Sequence, residues 1–343
     1  MRPKGTYTLR FGILMVALCG CLLLNISLGS VSISFTDTLK AIFGAEIQNK
    51  SLTYIIWNYR IPKAFTAIMS GAGLALSGLL MQTLFRNPLA GPFVLGISSG
   101  ASLGAAILIM GLSLFSGILS ASMVTDVSLA LASSMGSFLV LFLVIGVATK
   151  IKDTMALLII GLMFGSITAA VVSVLSYFTN AEKLQQYVYW TFGSLGDLSW
   201  NQLGILGIAI LVGIGISIFS IKPLNGYLLG EHYAQSLGIH LKKSRFLIII
   251  ATGILAGSIT AFAGPIAFIG LAVPHLTRQI FNTTDHKILV PAVLMYGSIT
   301  LLLCDIVAQL PGQAEVLPIN AITSLIGAPV VIWLLMRKRK MIF

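Results

Sequence analysis

The sequence predicts an all-α polytopic membrane protein of about ten transmembrane helices, the eighth of them short and broken. Three observations carry the prediction. Of 343 residues, 57% are hydrophobic and only 9% are charged, whereas a soluble domain carries about 25% charged residues. The apolar residues fall in runs of the length that a hydrocarbon core demands, about 20 residues in helical form. The basic residues sit between those runs and almost all on one side of the bilayer that the runs define.

The first run, Leu9 to Leu28, follows Arg2, Lys4 and Arg10. It lacks an Ala-x-Ala cleavage pattern and is long for a signal peptide, so it reads as an uncleaved first span. Four more runs extend from Phe65 to Leu84, Phe93 to Leu114, Val127 to Ala148 and Met155 to Tyr177. Leu203 to Ile221 and Phe246 to Ala263 follow, then a shorter stretch from Pro265 to Ile280, and finally Ile288 to Leu310 and Ala321 to Met336. The eighth is interrupted by Gly264, Pro265, Gly270 and Pro274. Proline removes a main-chain donor and glycine tolerates unusual dihedrals. A break at membrane depth must bury its freed polar groups in protein, which places this segment inside the bundle.

Ten spans put both termini on one side. With the N-terminus cytoplasmic, the inside segments hold all but five of the 21 basic residues, leaving Lys40, Lys50, Arg60, Lys63 and Lys183 outside. That is the sense of the positive-inside rule. The chain thus reads as one transmembrane domain over residues 1–343, with both termini in the cytoplasm.

The net charge of +11 does not indicate nucleic acid, because the cations punctuate apolar runs instead of clustering on a polar face. Cys19, Cys21 and Cys304 lie inside apolar stretches and form neither a disulfide framework nor a metal spacing. His232, His240, His275 and His286 fall in or beside cytoplasmic loops without the paired spacing of a zinc site. No Gly-x-x-x-x-Gly-Lys-Ser/Thr loop is present, so any ATP is hydrolysed by a partner. Buried charge at mid-membrane marks proton- or sodium-coupled carriers. The spans are almost bare of such charge; Asp305 is the exception, and its place near the outer end of the ninth points to a structural role.

Small residues recur four apart at Gly96, Gly100 and Gly104, at Gly161 and Gly165, and at Gly253 and Gly257. Such spacing lets helices approach closely in lipid; it equally suits a wide path lined by little side-chain bulk. The longest cytoplasmic connection, Lys222 to Arg245, places a turn at Asn225-Gly226. An amphipathic helix over Leu228 to Leu237 follows, closed by Gly238. Leu228, Leu229, Tyr233 and Leu237 would leave an apolar face without a partner in this chain.

Several motifs resemble those of the permeases of iron-siderophore, haem and cobalamin ABC importers. These are Arg60-Ile-Pro-Lys-Ala, Ser77-Gly-Leu-Leu-Met-Gln, Arg86-Asn-Pro-Leu-Ala and Leu95-Gly-Ile-Ser-Ser-Gly-Ala in the first half. In the second they are Leu229-Gly-Glu-His-Tyr-Ala-Gln-Ser-Leu-Gly, Ala263-Gly-Pro-Ile-Ala-Phe-Ile-Gly-Leu-Ala-Val-Pro-His and Leu317-Pro-Ile-Asn-Ala-Ile-Thr-Ser-Leu-Ile-Gly-Ala-Pro. The resemblance covers nearly the whole chain.

It implies a non-enzymatic subunit that binds no cofactor, paired with a second copy or a paralogue, two cytoplasmic ATPase subunits carrying ATP and Mg, and an external substrate-binding protein. Within the loop 224–241, Leu229, Gly230, Glu231, His232, Ala234, Leu237 and Gly238 match the family's ATPase-coupling helix. Arg60 and Lys63 match outward-facing cations that dock the binding protein, and Gln309 stands where a third is common. Gly161, Gly165, Thr168 and Ser173 are the path-wall candidates implied by the fifth helix, and Gly264, Pro265 and Pro274 form the helix break. An iron chelate is the family's usual cargo and cobalamin the alternative. A secondary carrier without an ATPase is the rival reading, disfavoured by the coupling-like loop and the scarcity of buried charge.

Overall fold

The computed structural model describes residues 4–29, 31, 33–44, 50–111, 124–148, 150–151, 154–309 and 315–336. All regular structure among them is helical. Seven helices are long and apolar enough to cross a membrane. These are α1 (Lys4–Ser27), α4 (Ile61–Leu84) with its N-terminal extension, α6 (Asp126–Ala148), α7 (Thr154–Phe178), α9 (Trp200–Phe219), α12 (Leu241–Ala263) and α14 (His286–Ala308). Two shorter apolar helices are α5 (Ile97–Ile109) and α15 (Ile319–Met336), and α13 (Ile269–Phe281) is the short eighth segment. Each of the ten apolar runs overlaps one of these helices; residues 112–114 of the third run and 310 of the ninth lie outside the described residues. The remaining helices are α2 (Phe35–Ile42), α3 (Lys50–Ile55), α8 (Ala181–Thr191), α10 (Ile221–Tyr227) and α11 (Glu231–Ser236). Sequence reading missed α2, α3 and α8, which lie in the outer loops and are too short or too polar to register as spans.

The core forms around α4. Leu74, Leu76, Leu79, Leu80, Met81 and Leu84 are buried, and so are its polar residues Ser70, Ser77, Gln82 and Thr83. A helix hydrophobic all round belongs inside a bundle. α3 runs into α4 through a π turn at Ile56–Arg60, where the Ile61 N–H bonds to the Ile56 carbonyl. Pro62 has no N–H to offer the Asn58 carbonyl, and the wider turn accommodates that loss at the head of α4. α14 lies along α4 so closely that a Cβ on Gly71 would overlap the Gly297 carbonyl, and one on Gly297 would overlap the Gly71 carbonyl. α12 packs on α4, α6 and α9, and α5 packs on α6 and α7.

The break before α13 occurs where the sequence places it. Gly264 ends α12 at φ +73, ψ −179, a region open essentially to glycine alone. The freed groups are satisfied by neighbours: Ala263 O accepts from Ser194 N at 2.9 Å, and Asn320 Oδ1 accepts from Ala267 N at 3.1 Å. Pro274 does not contribute to the break, because α13 continues through it. Pro274 cannot donate to the Gly270 carbonyl one turn back. Gln82 of α4 supplies donors there instead, with Nε2 3.0 Å from Leu271 O and 3.5 Å from Gly270 O, while its Oε1 accepts from Arg278 at 2.6 Å. A cross-helix amide therefore keeps helical a segment that the proline alone would interrupt.

Candidate functional site

At the basic end of the bundle, α10 and α11 form a projecting elbow. The turn expected at Asn225-Gly226 lies inside α10, and the single helix expected over Leu228 to Leu237 is divided at Gly230. The chain bends there instead because Gly230 adopts φ +104, ψ 153, which only glycine readily takes. Gly226 is helical because its bare Cα lets Ile239 and Ala234 pack against it. Gly238, at φ +79, closes α11 as expected. Ala234 faces inward and is fully buried, whereas Leu229, Tyr233 and Leu237 are 62%, 52% and 52% exposed. Three of the four residues expected on the apolar face thus turn away from the protein, while Leu228, at the end of α10, is half-buried. His232 is exposed beside that face.

The elbow is anchored from behind. Glu231 pairs with Arg245 of α12 at 3.3 Å, and Arg245 also donates to Ile151 O at 3.2 Å, in the connection between α6 and α7. Tyr227 donates to Leu241 O at 3.1 Å, and burial pushes its phenol up to about 12 against the pull of the nearby Arg245. Asn225 reaches back to α14. Its Nδ2 donates to the Asp285 carboxylate at 2.8 Å, and its Oδ1 accepts from His286 N at 2.9 Å.

At the opposite end, Lys63 and Arg60 do not reach outward as the resemblance implies. Arg60 is 9% exposed and donates to Ile26 O and Ser27 O at 2.7 Å each and to Val31 O, closing the loop after α1. A guanidinium carries five donors in a fixed fork, and here it serves two carbonyls left at the C-terminus of α1 and a third in the loop that follows. Lys63 pairs with Asp305 at 3.2 Å. Asp305 also accepts from Asn25 at 2.8 Å and Gln309 at 2.7 Å. Gln309, where the family commonly has a cation, here completes an internal cluster, and Asp305 has the structural role that its position suggests.

Of the path-wall candidates, three lie on an internal face. A Cβ on Gly161 would overlap Val94 O, Gly165 faces Ser99, and buried Thr168 donates to Gly165 O at 2.8 Å. Their smallness serves the approach of α7 to α5 and the 3-10 turn Pro92–Leu95. Ser173 is on the exposed face with Leu162, Ser166 and Ala169. Among the described residues no group of three or more His, Cys, Asp or Glu side chains could hold a metal.

Comparison with known proteins fits this architecture. The model of the FecCD transport family matches residues 14–337. The chain belongs to the FecCD transport family. Relatives of this FecCD chain include the vitamin B12 import system permease protein BtuC of Klebsiella pneumoniae, 40% identical over 284 residues and 83% of each chain. The corresponding protein of Salmonella typhi is 37% identical over 285 residues, 83% of this chain and 84% of that one. A solved structure described as a metal-chelate type ABC transporter in an inward-facing conformation superposes with a TM-score of 0.82 at 30% identity. It covers 96% of the FecCD chain and 98% of its own. The FecCD chain is accordingly a multi-pass membrane permease of the ABC importer class, a transport subunit.

Proposed function

We propose that this chain is the permease subunit that carries a metal chelate from an external binding protein into the cytoplasm, by alternating access powered by two partner ATPases. The observation that carries the reading is the elbow at the basic end. Leu229, Tyr233 and Leu237 present an apolar face held rigidly from behind by Glu231–Arg245 and Tyr227–Leu241. An exposed apolar patch rimmed by polar residues marks a partner surface, and Gly230, Glu231, His232, Ala234 and Gly238 shape it. With the basic end in the cytoplasm of an inner membrane, both termini and the elbow share the ATPase side.

The second permease copy or paralogue covers the exposed side of α7. The path then runs along Ser166, Ala169 and Ser173, a stripe of small and weakly polar side chains on the exposed face of α7 that lets a bulky chelate pass without holding it. Relatives named for vitamin B12 import, at 37–40% identity, favour cobalamin over a ferric siderophore or haem. Of the two docking candidates, Lys63 keeps part of its side chain exposed, and docking would draw it from Asp305.

The test is uptake into proteoliposomes containing the permease, its ATPase and its binding protein, with labelled cobalamin, ferric siderophore and haem offered separately. Cobalamin uptake that needs ATP and all three components supports the reading. Leu237→Asp should abolish ATPase association, and unaltered association would overturn the docking role of the elbow.

A further inference from the structure

One fully buried histidine is not explained by any step above. His286 opens α14 and is completely enclosed. Its Nδ1 lies 2.7 Å from Asn225 Oδ1 on α10, and its Nε2 lies 2.9 Å from Thr83 Oγ1 on α4. Asn225 orients the whole set. Its amide nitrogen is committed to the Asp285 carboxylate, which also caps α14 through Lys287 N at 3.0 Å. Asn225 Oδ1 therefore faces His286 and accepts both the main-chain N–H and the ring Nδ1–H. The Thr83 hydroxyl has one proton and two acceptors in reach, Leu79 O and His286 Nε2, each at 2.9 Å; a neutral ring protonated at Nδ1 can only accept at Nε2, so the Thr83–His286 bond forms when the hydroxyl turns from the carbonyl to the ring. One side chain of the elbow thus supplies the first turn of α14 with an acceptor that a helix N-terminus otherwise lacks, and reaches α4 through the ring.

The two helices it holds are already one body. Gly71 and Gly297 bring their backbones into contact, Ser298 Oγ donates to Ile68 O at 3.0 Å, and Lys63–Asp305 ties their far ends at 3.2 Å. A pair locked at both ends and in the middle transmits displacement along its length, because packed interfaces shift as units and do not deform continuously.

We infer that Asn225, His286 and Thr83 are positioning residues forming a rigid joint, through which movement of the elbow is passed to the α4–α14 pair and so to the opposite face. The inference rests on the importer reading above and assigns the elbow's output. The Glu231–Arg245 pair leads instead to α12 and the α6–α7 connection, a separate branch.

The test uses the full complex of permease, ATPase and binding protein in proteoliposomes with cobalamin as probe. Cys19, Cys21 and Cys304 are replaced, and spin labels are placed at Gln235 of α11 and Val307 of α14. In the parent complex the Gln235–Val307 distance stays the same between nucleotide-free and ATP-trapped states. In Asn225→Leu and in Thr83→Val that distance becomes state-dependent, and cobalamin moved per ATP hydrolysed falls about tenfold, within the usual range of coupling between sites. Thr83→Val still folds and binds the ATPase as the parent does, with its thermal midpoint lowered by no more than one lost buried hydrogen bond, and Thr83→Ser restores coupling. A parent distance that changes with nucleotide state overturns the joint, and so does normal coupling in both variants. Loss of uptake matched by loss of folded complex in Thr83→Val overturns it as well, since that is a purely structural effect. A parent chain that fails to bind the ATPase overturns the importer reading itself.

Discussion

Lys63 and Asp305 stand 242 positions apart in sequence at the outer ends of α4 and α14, yet their side chains close to 3.2 Å with the carboxylate almost wholly buried. The pair is reinforced by Asn25 and Gln309. Removing one member of a buried pair costs about 3–5 kcal/mol, because the other charge is left uncompensated, whereas replacing both can be close to neutral. Lys63→Met should therefore lower the thermal unfolding midpoint in detergent markedly, and Lys63→Met combined with Asp305→Leu should recover most of it. A single variant with the parent's midpoint would show that the pair contributes nothing, and a double variant as low as the single would show that the uncompensated carboxylate is not the cause of the loss.

The approach of α4 and α14 depends on two bare Cα atoms. Gly71→Leu must push the helices apart, since even a Cβ there overlaps the Gly297 carbonyl and lies 3.0 Å from Leu301 Cβ. The expected outcome is loss of monodisperse protein in size-exclusion chromatography. Gly215→Ala in α9, where a Cβ meets nothing within 4 Å, should be indistinguishable from the parent.

Gly264 combines conformational and steric demands. Any side chain there is held at φ +73 and meets Gly193 Cα at 2.8 Å and Trp190 O at 2.9 Å. The dihedral alone costs about 1–3 kcal/mol. Gly264→Ala should destabilise by at least that much, and protease digestion should then open the segment between α12 and α13, which the parent protects.

The Tyr227 phenol has a pH signature. Its folded value of about 12 exceeds the ordinary 10.0, because burial disfavours the anion. The stability it contributes is complete below pH 10 and is lost as pH rises towards about 12. Tyr227→Phe forfeits the hydrogen bond to Leu241 O, a loss of about 1 kcal/mol at neutral pH. Denaturation midpoints of this variant should fall less steeply than the parent's over that alkaline window.

The spans were legible because hydrocarbon imposes a length and a composition that local sequence reports directly. The exposed apolar face of the elbow was legible for a similar reason, since Leu229, Tyr233 and Leu237 follow from amphipathic spacing, whereas Ala234, which the resemblance groups with the coupling residues, is fully buried against the bundle. The joint was not. Asn225, His286 and Thr83 come from three helices, and nothing near His286 in sequence distinguishes an enclosed imidazole from a loop histidine. Gly161 misled for a related reason, since a small residue next to a cavity and one under a neighbouring carbonyl have the same local pattern. Arg60 reads as an outer cation from its position, while the carbonyls it serves belong to the end of another helix. Gln82 stood within a quoted motif, but its duty towards α13 is fixed 188 residues downstream.

That last relationship bears on how α13 survives in lipid. α13 has 13 residues, about 20 Å of helix at 1.5 Å per residue, too short to cross about 30 Å of hydrocarbon. It carries Arg278, and its own proline costs it a main-chain bond. Leaving the translocon into lipid alone, it would have neither the length nor the donors to persist. In the folded chain Gln82 supplies those donors, so the helical form of α13 depends on a side chain of the α4 face that it covers.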